Sequence, residues 1–175
     1  MTDLRYPIGK FDLTTDLNEE RRIGWINDIA EAPLRLRAAV GGLTPAQLAT
    51  PYRPGGWTVR QVAHHLPDSH LNAYTRVKLG LTEDTPTIKA YFEDRWAELE
   101  DSRSAPVEVS LSLLEALHQR WVLLLRSLTL VDLARTFRHP DLGVLTLGQT
   151  LGLYAWHGRH HTAQITGLRE RMGWD

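Results

Sequence analysis

The stretch WHGRHHTAQI, from Trp156 to Ile165, places three histidines within five residues of a segment that has helical apolar periodicity. Residues four apart on an α-helix lie nearly above one another, so His157 and His161 share a face. At about 100° per residue that face also carries Leu151, Tyr154, Ile165 and Leu168, while His160 turns away from its centre. Two inward imidazoles are candidate nitrogen donors for a divalent metal, although an i,i+4 pair also suits two ordinary, partly buried histidines.

A third donor is available from GGWTVRQVAHHLPDSH, which opens a second amphipathic segment. Its apolar stripe is Val59, Val62, Leu66, Ala73 and Val77; His64 lies almost opposite that stripe and His65 on its flank. Of the two, only His65 readily reaches an interior shared with His157 and His161. Three neutral donors from two helices leave a metal with an open coordination position, the pattern of a reactive site rather than a closed structural one. The remaining histidines, His64, His70, His118, His139 and His160, are expected at the surface or behind the ligands. Trp57, Trp121 and Trp156 read as packing anchors. No glutamate stands in an HExxH arrangement, so a zincin-type protease has no support.

These donors need rigid elements to hold them. An arm containing proline and glycine runs to about Thr14. LNEERRIGWINDIAEAPLRLRAAVGGL then reads as a helix with Ile23, Ile26, Ile29 and Leu34 inward, Asp16 as its cap, Pro33 as a kink point and Gly41-Gly42 as its end. A short helical turn, TPAQLAT, and the turn formers PYRPGG lead into a second long helix, from about Thr58 to Leu81. The acidic linker TEDTPTIKAYFEDRWAELEDSRSAP holds some helix around Ala90 to Glu100 and is of the length that often covers a site. A third long helix spans about Val107 to Leu128. RTFRHPDLGVLTL reads as a β-hairpin turning at Pro140, Asp141 and Gly143, and a final helix runs from near Thr146 to about Met172. The expected fold is all-α: a four-helix bundle with long crossover connections and a small hairpin before the last helix, in a single domain over residues 1–175.

Composition narrows the function. At 175 residues and 42% hydrophobic, the chain is long enough for one substantial core. With 20 basic against 21 acidic residues, no global field favours nucleic acid or an anionic membrane. No apolar run reaches the roughly 20 residues of a membrane span, and MTDLRYPIGK lacks the apolar centre of a signal peptide, so a cytoplasmic location is expected. Cysteine is absent. Any metal must therefore be held by histidine or carboxylate, and any thiol chemistry must use sulfur from outside the chain.

GGWTVRQVAHHLPDSHLNAYTRVKL followed by YAWHGRHHTAQI resembles the DinB-like metal-binding four-helix bundles, in particular the YfiT/BstA-type bacillithiol transferases, also labelled metal-dependent hydrolases. The likeness runs along nearly the whole chain, including the RYPIGKF arm and the HPDLGVLTL hairpin. It implies a divalent metal, zinc or nickel, on His65, His157 and His161, with bacillithiol as thiol cosubstrate and a homodimeric assembly. Two positions depart from the family pattern: Pro67 stands inside the second helix where relatives tend to carry alanine, and Gln164 replaces a frequent further histidine, altering a hydrogen bond behind the ligands. The implied activity is conjugation of the thiol to an electrophile. Arg60, Arg76, Lys78 and Arg159 are candidates to hold the thiol's carboxylates, each equally an ordinary solvated charge, and Asp68 is a candidate to orient His64 or His65. The alternatives are a hydrolase using a metal-bound hydroxide and a noncatalytic metal-binding module.

Overall fold

The computed structural model describes residues 3–174. Four long helices dominate: α1 (Glu19–Val40), α3 (Val59–Thr82), α6 (Val107–Ser127) and α8 (Leu147–Met172). Between them lie the short helices α2 (Pro45–Leu48), α4 (Glu93–Trp96), α5 (Glu100–Ser104) and α7 (Leu130–Leu133), and an antiparallel hairpin of β1 (Thr136–His139) and β2 (Gly143–Thr146), in which Phe137 faces Leu145. Helix α1 packs along α8 and α6, and α3 packs along the same two partners, giving the expected bundle. Among the described residues, no helix is long and apolar enough to cross a membrane.

The two helices that carry the candidate ligands begin on the same device. Thr58 accepts the Gln61 amide at 3.2 Å while the Gln61 side chain accepts the Thr58 amide at 2.9 Å. Thr146 and Gln149 repeat that reciprocal cap at the start of α8. Each glutamine then ties down a covering segment through its side-chain nitrogen. Gln61 donates to the Ala97 carbonyl of the linker at 2.8 Å, and Gln149 to the Leu13 carbonyl of the N-terminal arm at 3.0 Å.

That arm runs antiparallel along α8. Gln149, Trp156 and Gln164 donate in turn to the carbonyls of Leu13, Gly9 and Arg5. The arm steps four residues for each seven or eight of the helix, with a turn closed by the Gly9 amide on the Tyr6 carbonyl between the Arg5 and Gly9 contacts. Beneath the arm, Gly152 allows close approach: a Cβ there would meet Phe11 at 2.8 Å and Trp25 at 2.9 Å.

Two apolar clusters fill the bundle. One gathers Ile29, Val77, Trp121, Phe137, Leu147 and Leu151; the other gathers Leu36, Val62, Leu66, Leu114 and Ile165. Every long helix contributes to both, so each changes character midway. On α3 the change falls at His65 to His70, on α6 at His118, and on α8 at His157 to His161. A layer of histidines thus crosses the bundle between two apolar halves.

Helix α1 differs in detail from the sequence expectation. Ile26 and Ile29 are buried, but Ile23 is 50% and Leu34 71% exposed. The buried stripe continues through Ala32, Leu36, Ala39 and Val40; alanines complete it, and a reading based on large aliphatic residues rotates the face. The cap is Asn18 rather than Asp16, its side chain accepting the Arg21 amide at 2.8 Å. Both α1 and α3 remain helical through Pro33 and Pro67.

Candidate metal centre

His65, His157 and His161 come together at the middle of the bundle. One ring nitrogen from each lies within 4.8 Å of the other two, and His65 Nε2 stands 3.3 Å from His157 Nε2. Imidazole nitrogens bound tetrahedrally to zinc at about 2.0–2.1 Å would sit about 3.3–3.4 Å apart. The donor set and its spacing therefore fit a divalent cation.

Hydrogen bonds behind His157 and His161 decide which nitrogen each of these two rings presents. His118 Nδ1 meets the Ile29 carbonyl at 2.6 Å and must donate to it. Its Nε2 then accepts from His70 Nδ1 at 2.8 Å, and His70 Nε2 accepts from His157 Nδ1 at 3.1 Å. With each ring neutral, this chain leaves His157 Nε2 bearing its lone pair toward the cluster. A second chain does the same for His161. The Arg5 carbonyl receives the Gln164 side-chain nitrogen at 3.1 Å, which turns the amide oxygen toward His161 Nδ1 at 2.8 Å and leaves His161 Nε2 free. Orientation of a ligating histidine through its other nitrogen is a regular feature of metal sites.

Electrostatics keep these rings neutral. Burial, followed by the neighbouring histidines, holds His157 and His161 well below the usual histidine range. Burial and then His160 pull His65 down to about 4. Burial pulls His118 to about 4 as well, the bond to Ile29 opposing it. At neutral pH all four offer lone pairs rather than positive charge.

A cavity of about 450 Å³ opens over the three rings, lined among others by Trp57, Ser69, Arg76, Tyr91, Glu93, His139 and Tyr154. Ala90, Tyr91 and Glu93 come from the long linker, which covers the site as its length suggested. Trp57 lies 4.7 Å, ring to ring, from His65 and walls the cavity, so it does more than anchor packing. Trp121 is fully buried in the apolar cluster.

Several sequence expectations are corrected. His64, set opposite the apolar stripe, is buried against Ser110 and the Ala105 carbonyl because α5 and α6 cover that side of α3. His70 and His118 take the second of the two places expected of them, buried as the links behind His157, and His160 lies under the arm, stacked on Trp156 at 4.4 Å. Spacing along one helix could not reveal either role, since the chain of rings draws on three helices. Arg60 is tied to the Ala105 carbonyl at 2.8 Å and does not line the cavity. Arg159 faces a different groove, 3.4 Å from Asp28, and Lys78 lies over the Tyr74 ring on an exposed surface. Asp68 bonds neither His64 nor His65; burial, then Asp101, raises its carboxyl to about 6. Of the four basic candidates, Arg76 alone reaches the cavity.

The relatives of this chain share its whole length. Proteins of Bacillus cereus (strain AH820) and Bacillus anthracis (strain A0248), each provisionally named a metal-dependent hydrolase, are 58% identical over 174 residues, 99% of this chain and 100% of theirs. The solved structure of YfiT from Bacillus subtilis, described as a probable metal-dependent hydrolase with an unusual four-helix bundle topology, superposes with a TM-score of 0.95 at 51% identity. It covers 98% of this chain and 99% of its own. The sequence model of the DinB superfamily matches residues 29–165, a span that holds all three converging histidines and both links behind His157. On these likenesses, the chain belongs to the DinB superfamily.

Proposed function

We propose that His65, His157 and His161 bind a divalent metal, zinc or nickel, and that the protein conjugates a low-molecular-weight thiol, bacillithiol, to an electrophile. The observation that carries this reading is the convergence of three neutral imidazoles at the wall of a cavity, with the lone pairs of His157 and His161 set by separate hydrogen-bond chains. His65, His157 and His161 would hold the cation without neutralising it, and the cation when bound would supply the charge that lowers the pKa of a thiol or water in the cavity. The chain has no cysteine, so the sulfur comes from the cosubstrate. Trp57, Tyr91, Leu153 and Tyr154 give the cavity apolar walls suited to the carbon skeleton of an electrophile. In the reaction a carbon–sulfur bond forms, the leaving group departs with its electron pair, and the thiol proton passes to solvent.

The names of the relatives favour a second reading, a metal-dependent hydrolase, in which water takes the place of the thiol. The test is a conjugation assay with the thiol and a fluorogenic electrophile, run beside ester and amide hydrolysis. Thiol-dependent turnover that disappears in His157→Ala supports the transferase. Turnover that persists without thiol overturns it in favour of the hydrolase.

A further inference from the structure

Arg76 lines the cavity and, among the described residues, has no ion-pair partner. It lies on α3 eleven residues after His65, three helical turns further along, so both side chains leave the same face with about 16 Å between their Cα atoms. It is 9% exposed, and its guanidinium makes one hydrogen bond, to the Lys89 carbonyl at 3.2 Å. Glu93 and Asp141 also line the cavity, but among the described residues no carboxylate forms an ion pair with it. The other guanidinium nitrogens make no hydrogen bond within the described residues and are not closed off from solvent, so they are donors available to an anion that enters the cavity.

A second donor stands on the same cavity. His139 Nδ1 accepts the backbone amides of Asp141 at 3.1 Å and Leu142 at 3.4 Å, which places the ring proton on Nε2. The linker is strapped to this strand: Arg138 donates to the Pro86 carbonyl at 2.8 Å, and the Ile88 amide donates back to Arg138 at 3.0 Å. The strap fixes the Lys89 carbonyl that steadies Arg76 on the side of the cavity occupied by His139. Burial, then the charge of Arg76, lowers the His139 pKa, so it enters as a neutral donor.

We propose that Arg76 and His139 form an oxyanion-binding subsite, which takes a carboxylate or phosphate of an elongated substrate whose reacting end lies at His65, His157 and His161. Its placement at the far end of the substrate rests on the metal-centre reading; anion binding itself does not. Allowing for the reach of the arginine side chain, the substrate carries its acidic group on the order of 10 Å from the reacting atom. A planar guanidinium engages either oxyanion through two parallel bonds.

The test uses the full chain freed of metal, titrated with succinate, inorganic phosphate and uncharged succinamide, with binding read by calorimetry and by the ring nitrogen signals of His139. Succinate or phosphate, whichever binds tighter naming the source of the oxyanion, is expected to bind the parent and the His157→Ala variant equally and to shift the His139 signals. Arg76→Gln is expected to lose at least about tenfold in affinity, Arg76→Lys less, and succinamide should not compete. Arg60→Gln is the control arginine and should bind as the parent does. If Arg76→Gln does not fold, Arg76→Lys and His139→Gln carry the test. Absence of oxyanion binding by the parent at millimolar concentration overturns the subsite, as does undiminished binding after Arg76 or His139 is replaced, or loss of binding in His157→Ala. Failure of the metal reading would leave succinate binding intact, so the two failures are distinguishable.

Discussion

The two apolar clusters and the histidine layer between them occupy the same four helices, yet they are built on opposite terms. In the clusters, Leu36, Leu114, Trp121 and Ile165 are fully buried and interchange apolar contacts with many neighbours. In the layer, His70, His118 and His161 are buried and His157 is half-buried, but each depends on a particular partner atom: a carbonyl, an amide oxygen or another ring. Apolar packing tolerates approximate shape, whereas a buried polar group left without its partner costs about 1–3 kcal/mol. The halves supply stability, and the layer uses it to hold lone pairs in fixed directions.

The largest change in stability should come from Trp121→Ala, which opens a large void in one apolar half and is expected to cost about 3–5 kcal/mol in chemical denaturation. The largest change in metal binding should come from His157→Ala. Its affinity for zinc, measured by competition with a chromophoric chelator, should fall by well over about 100-fold, since a ligand contributes more than the groups behind it. An unchanged affinity would place the metal elsewhere.

Acid should find the layer before it finds the halves. The His118 pKa lies at about 4 in the folded protein, against a usual value of 6.5. The unfolded chain therefore binds the extra proton first as pH falls. Stability from this group is fully present above about pH 6.5 and is lost progressively toward pH 4, by on the order of 3 kcal/mol. Thermal melts of the metal-free protein across that window check the sign, and a flat profile would contradict the burial of neutral rings. His118→Leu should flatten the profile relative to the parent.

His70→Leu cuts the chain behind His157 while leaving all three ligands in place. It is expected to weaken zinc binding by about 10–100-fold in the same competition assay, less than loss of a ligand and without altering their number. The smallest effect should follow Arg159→Ala. Its pairing with Asp28 lies on another surface, so both stability and metal affinity should stay within about 0.5 kcal/mol of the parent.

Much of the scaffold was legible along the chain because its signals are local. Helical periodicity placed the starts of α3 and α8 near Thr58 and Thr146, the turn formers marked the hairpin, and the same periodicity put His157 and His161 on one face with His65 as a third candidate; the reciprocal Thr-x-x-Gln caps at those starts appear only in the structure. Those readings depend on neighbours within one or two turns, which the sequence orders by itself. The rotation of α1 was misread because its stripe is completed by Ala32 and Ala39, whose small side chains carry little signal of burial.

What tertiary structure alone decided is which distant atoms meet. No spacing rule connects Ile29, His118, His70 and His157, since the chain of rings crosses from α1 through α6 and α3 to α8. Nor does spacing separate Arg76 from Arg60 and Arg159: all three stand near the histidines in sequence, and only packing of the linker and hairpin against α3 places Arg76 in the cavity. The helices and the candidate ligands follow from periodicity that acts over a few residues and that the chain carries without its fold. The third dimension decided tautomer, burial and the charge in the cavity, because these depend on long-range contacts between helices.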